Sequence, residues 1–202
     1  MGRLSKRRRL QLFLGRLTSS ELPKSIKLTE IYDNMSDLWE RSIAQLRSGI
    51  VTEWGATLVI AKEMLAFKNI VSGTDSRVAT FIEVESSETF VGTFHTHPYE
   101  DSTTGVAFSG ADIASAINNR ENISLVQSGH KIFMLLRTEY TSRNVDAFNV
   151  ELAFQAMVFN AMTLGKSFID AVFLANRRLC QIYRLALYAG KIYNSLKGVY
   201  LP

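Results

Sequence analysis

Phe90-Val91-Gly92-Thr93-Phe94-His95-Thr96-His97-Pro98 is followed, after residues 99–108, by Ser109-Gly110-Ala111-Asp112. The aromatic and β-branched run predicts a strand, and Pro98, with no N–H for a ladder, stops it. Side chains alternate faces along a strand, so His95 and His97 present two imidazoles on one surface. Ser109 has the character of a helix cap, with Asp112 in the first turn behind it and Ile113, Ala116 and Ile117 facing inward. The order strand, loop, helix start can return the Asp112 carboxylate to the paired imidazoles. Two His and one carboxylate leave a fourth tetrahedral position open, the pattern of a catalytic rather than a structural zinc site. Each half is common alone: an HxH pair can be two hydrogen-bonded histidines, and Ser-x-x-Asp an ordinary cap. The chain holds only three histidines, however, and two of them fall together beside the proline.

Outward from this segment, Ile31, Met35, Leu38, Trp39, Ile43 and Leu46 recur at helical spacing, predicting an amphipathic helix over 29–47 closed by Gly49. Trp54 to Ala61 reads as a strand, and residues 79–85 alternate as a second, half-buried strand after a turn at Ser72-Gly73-Thr74-Asp75. Residues 99–108 read as a polar loop. Ser124-Leu125-Val126 and Lys131 to Arg137 complete the sheet, and the pattern is helical from Asp146 to about Lys191 with a break at Gly165. No repeat is visible. The whole reads as an α/β sandwich with a mixed sheet and helices packed on it.

The chain has 202 residues, 47% hydrophobic and 21% charged, which is ordinary for a globular chain and excludes a disordered one. One cysteine, Cys180, excludes an internal disulfide and a Cys-rich zinc site. Its apolar neighbours make it a core residue rather than a nucleophile. Net charge is +4, yet residues 1–27 hold eight basic side chains against Glu21 alone, +7, which leaves −3 for the remainder. This predicts a basic N-terminal arm, either a solvated tail or a contact for nucleic acid, anionic lipid or an acidic partner. Neither a secretory signal nor a membrane span is expected: the longest uncharged run, 152–165, is too short and carries Gln155 and Asn160, so a cytoplasmic location is expected.

His95-Thr96-His97-Pro98 with Ser109-x-x-Asp112 resembles the signature of the JAMM/MPN+ (JAB/MPN/Mov34-type) zinc metallopeptidases, over roughly residues 30–137. The resemblance implies a three-layer, cytidine-deaminase-like sandwich of MPN type, with a mixed sheet flanked by helices. It implies one Zn2+ per chain on His95, His97 and Asp112, an upstream glutamate as general base, and Ser109 as a hydroxyl that stabilises the tetrahedral intermediate. Among Glu53, Glu63, Glu83, Glu85 and Glu88 we assign the base to Glu53, at the opening of the Trp54 strand, with Glu63 as runner-up. The expected activity is hydrolysis of a peptide or isopeptide bond in a ubiquitin-like protein or its conjugate. Ten residues, 99–108, separate Pro98 from Ser109 against about seven in the family pattern, and a longer surface loop absorbs three residues at little entropic cost.

The resulting organisation is a basic arm over 1–27, a catalytic domain over 28–140, and helices over 141–202 that pack on it or form an interface with a second copy or another partner. Alternatives are a non-catalytic MPN-like scaffold and a phosphoesterase-type zinc hydrolase. The latter would recruit a further His, and the spare, His130, reads as structural or surface.

Overall fold

The computed structural model describes residues 4–74, 83–98 and 105–202. The elements in chain order are α1 (Lys6–Phe13), β1 (Ser25–Ile26), α2 (Tyr32–Arg47), β2 (Trp54–Ala61), β3 (Met64–Ser72), β4 (Thr89–Thr96), α3 (Gly110–Asn118), β5 (Ile123–Ser128), β6 (Lys131–Leu136), α4 (Ala147–Thr163), α5 (Phe168–Tyr183), β7 (Ala186–Lys191) and β8 (Leu196–Tyr200). The strands form one mixed sheet in the order β1-β8-β7-β6-β5-β4-β2-β3. The pair β4–β5 is parallel, and the other pairs are antiparallel.

Alternation along the strands divides the apolar residues into two cores. Leu58, Phe94, Leu125 and Met134 meet Met35 and Leu38 of α2 and Leu12 of α1 on one face. Val126, Phe133 and Leu135 meet Ile113, Ile117, Leu179 and Cys180 of α3 and α5 on the other. Helices therefore cover both faces, and β5 is buried along its whole length. The mixed α/β sandwich expected from the sequence is present, and the predicted helix, β2 and β4 lie within a few residues of their expected bounds. Cys180 is fully buried, as expected of a core residue.

Three expectations are corrected. Residues 4–27 of the amino-terminal arm are folded against the body rather than forming a free tail. Ser5 caps α1 by accepting from Arg8 N, Leu12 and Phe13 enter the core, and buried Arg9 pairs with Glu30 and donates to Lys27 O at 2.8 Å. Residues 141–202 are not all helical: α5 stops at Arg184, which takes the left-handed conformation usually left to glycine (φ 58), and β7 and β8 then extend the sheet beside β6. A strand absent from the sequence reading, β3, pairs with β2 through Lys62 and Glu63, both at positive φ. Of the strand expected over 79–85, residues 79–82 lie outside the described residues, and 83–85 carry no regular structure. The break at Gly165 is present, between the end of α4 and Ser167, the cap of α5.

Candidate metal centre

The parallel pair sets the site. From the carboxyl end of β4 the chain crosses through α3 to β5, so the start of α3 lies beside the end of β4, where ligands gather in such crossovers. His95 and His97 point to the α3 face, whereas Phe94 between neighbouring strands belongs to the α2 core. The carboxyl end of the strand is pinned as well: His97 N donates to Gln127 O at 2.8 Å, and Ser128 Oγ donates to His97 O at 2.9 Å.

The two imidazoles meet at Nε2, 3.0 Å apart. Asp112 Oδ1 lies 3.4 Å from His95 Nε2, and Asp112 Oδ2 lies 3.6 Å from His97 Nε2. An ion held tetrahedrally by bonds of about 2.0–2.1 Å needs ligand atoms about 3.3 Å apart. The imidazole pair falls near that spacing, each carboxylate oxygen of Asp112 falls near it from one of the two imidazoles, and one ligand atom from each of the three residues lies within 4.8 Å of the others. His95, His97 and Asp112 therefore form a buried group able to hold a metal ion.

Ser109 caps α3 as expected: its Oγ accepts from Asp112 N at 3.1 Å, and both its hydroxyl and its N–H donate to Asp112 Oδ2 at 2.7 Å. In this arrangement Ser109 orients the carboxylate. Glu53 is 8% exposed, and its Oε1 lies 3.9 Å from His97 Nε2. The runner-up Glu63 is remote, exposed in the β2–β3 turn and paired with Lys6. Glu85 and Glu88 pair with Lys68. Exposed His130, in the turn before β6, takes no part.

The charges match a cation site. Burial opposes a charge on His95, but the Asp112 carboxylate, with Glu53 and Glu121 behind it, outweighs burial and raises its pKa. His97 goes the other way, pushed down to about 4 by burial and by its positive neighbour His95. Asp112 is half-buried, and desolvation opposes its charge, yet the two imidazoles and the Ser109 hydroxyl hold its pKa far below the usual carboxylate range. The raised His95 pKa thus favours a proton on that ring, a positive charge of the kind that a metal ion would otherwise bring.

Several contributors were not singled out from the sequence. Thr96, between the histidines and facing the opposite way, is buried; its Oγ1 lies 2.6 Å from Ser42 Oγ and accepts from Trp54 N at 2.9 Å, which fixes the chain beside Glu53. Glu121 is buried and accepts from Thr93 Oγ1 at 2.8 Å, and burial raises its pKa. A polar residue at a strand position facing a core was the available signal for Thr96. The loop before Ser109 is corrected too. Residues 99–104 lie outside the described residues, but Val106, Ala107 and Phe108 are buried, with the Phe108 ring 6.4 Å from that of His95.

A cavity of about 210 Å³ opens beside Asp112 and His97, with Glu53 and Ser109 on its polar side. Its other walls come from Val106 to Phe108 and from the carboxyl-terminal helices. No protein-family model matches this chain, and no curated protein matches it. The site therefore rests on its own geometry. Among the described residues no helix is long and apolar enough to cross a membrane.

Proposed function

We propose that this chain is a zinc-dependent metallopeptidase of JAMM/MPN+ type that hydrolyses a peptide or isopeptide bond, with a ubiquitin-like protein or its conjugate as the substrate class. The reading is carried by the convergence of His95, His97 and Asp112 beside the cavity: the two Nε2 atoms lie 3.0 Å apart, Asp112 Oδ1 lies 3.4 Å from His95 Nε2, and Asp112 Oδ2 lies 3.6 Å from His97 Nε2, a donor set that suits zinc. The sequence signature adds the reaction class. A bound zinc ion supplies Lewis acidity and lowers the pKa of water towards neutrality.

The chain's own groups do the rest. Glu53 borders the cavity on the His97 side, so its carboxylate takes a proton from the attacking water and returns it to the leaving nitrogen. Ser109 holds Asp112 in its ligand orientation, and its hydroxyl, turned outward about χ1, serves as the donor to a developing oxyanion. Burial of both histidines excludes bulk water from the ligand side.

Elemental analysis of the purified protein tests the reading. One zinc per chain is expected, kept by Glu53→Gln and lost by His95→Ala. Hydrolysis of a fluorogenic ubiquitin-like substrate should vanish with Glu53→Gln and with chelator. A parent protein that holds no zinc after loading rules out the proposal.

A further inference from the structure

The carboxyl-terminal helices are built into the metal site. Glu151 of α4 accepts from Ala111 N, at the start of α3, at 2.8 Å. A Cβ on Gly110 would lie 2.7 Å from the Glu151 Cα and 2.8 Å from the Phe154 Cβ, so the two helices touch through the absent side chain. Asn176 of α5, fully buried, donates to Phe108 O at 2.7 Å and to Val172 O at 3.0 Å, tying α5 to the loop that backs His95. These ties hold Phe154, Phe168 and Val172 as one wall of the cavity whose opposite side is Glu53, His97, Ser109 and Asp112.

The wall is apolar, the facing side polar, and Phe168 is 45% exposed at the rim. A phenyl ring left half wet contributes little to the core, and its free face is available to a ligand. Pockets for whole drug-sized ligands start at about 300 Å³, so roughly 210 Å³ takes one side chain rather than an extended molecule.

We infer that Phe154, Phe168 and Val172 form a specificity subsite for one bulky apolar side chain flanking the scissile amide. The substrate class narrows to acyl or amino partners with a leucine- or phenylalanine-sized group beside the bond that is cut. The inference rests on the metallopeptidase reading for the placement of the amide.

Two zinc-binding probes separate the two ideas. Acetohydroxamate tests only the open metal position, and 3-phenylpropanohydroxamate adds a phenyl group that reaches the wall. On zinc-loaded protein, calorimetry should give the phenyl probe about 10- to 100-fold tighter binding. Phe168→Ala should abolish most of that increment, with acetohydroxamate affinity and zinc content unchanged, and Phe168→Leu should retain it. Equal affinity of the two probes for the parent, or an increment that survives Phe168→Ala, overturns the subsite while leaving the metal reading intact. Failure of both probes on zinc-loaded protein means a closed coordination position, and then subsite and hydrolase fall together.

Discussion

Glu151 accepts a hydrogen bond from Ala111 N at 2.8 Å, so a helix forty residues downstream clasps the first turn of the helix that delivers Asp112. That turn already carries Ser109 as its cap, and a carboxylate suits the positive end of a helix. The carboxyl-terminal segment is thereby part of the site's frame.

Gly110 measures how tight this junction is. Gly110→Ala inserts a methyl group at 2.7–2.8 Å from atoms of Glu151 and Phe154, so α4 must shift. Overpacking of this kind costs about 1–3 kcal/mol. Urea unfolding should show that loss, and zinc affinity should fall with it. An unchanged midpoint would mean that α4 does not sit on α3.

Zinc binding should strengthen as pH rises through mild acid. His97, pushed down to about 4, is already neutral in mild acid, whereas His95, raised above its ordinary 6.5, keeps its proton through that range. Zinc must displace this proton, so affinity should rise about tenfold per pH unit until the raised pKa of His95 is passed. Titration calorimetry in buffers of different ionisation enthalpy should count close to one proton released per zinc near about pH 6. No release there contradicts the assignment.

Thr96 should matter to Glu53 without being a ligand. Thr96→Val keeps the shape but leaves the Trp54 N–H and the Ser42 hydroxyl without their partner, at about 1–3 kcal/mol. The variant should keep its zinc and lose turnover, as Glu53 is no longer held at the cavity. Loss of zinc with normal turnover per bound metal would point to a different role.

Phe154 and Phe159 lie on the same helix and should behave oppositely. Phe154 is buried against α3, and Phe154→Ala should cost about 3–5 kcal/mol. Phe159 is 71% exposed, and Phe159→Ala should stay within about 0.5 kcal/mol. Thermal or urea unfolding of the pair checks the orientation of α4. Phe159→Glu is accordingly the variant that can report on association through this face, because Phe154→Glu would unfold the core.

Where sequence and structure part company, the cause is local chemistry overridden by packing. Glycine and proline are the residues that mark a helix end in sequence, but α5 ends on Arg184 in the left-handed region, so nothing local separates it from the apolar run into β7. The β2–β3 hairpin turns on Lys62-Glu63 rather than Asn-Gly, so β3 left no turn signal. The basic residues of 1–27 masked Leu12 and Phe13, and Arg9 is buried because Glu30 and the Lys27 carbonyl meet its guanidinium.

The sequence by itself determined the candidate ligand group, because a strand's period of two puts His95 and His97 on one face and a capping pattern puts Asp112 in the next first turn. Both are short-range constraints that neighbouring residues enforce. Only the tertiary structure decided that Glu53 rather than Glu63 borders the metal group, and that α4 and α5 wall its cavity. Those relations join residues tens of positions apart through sheet pairing and helix packing, and no local pattern encodes such distances.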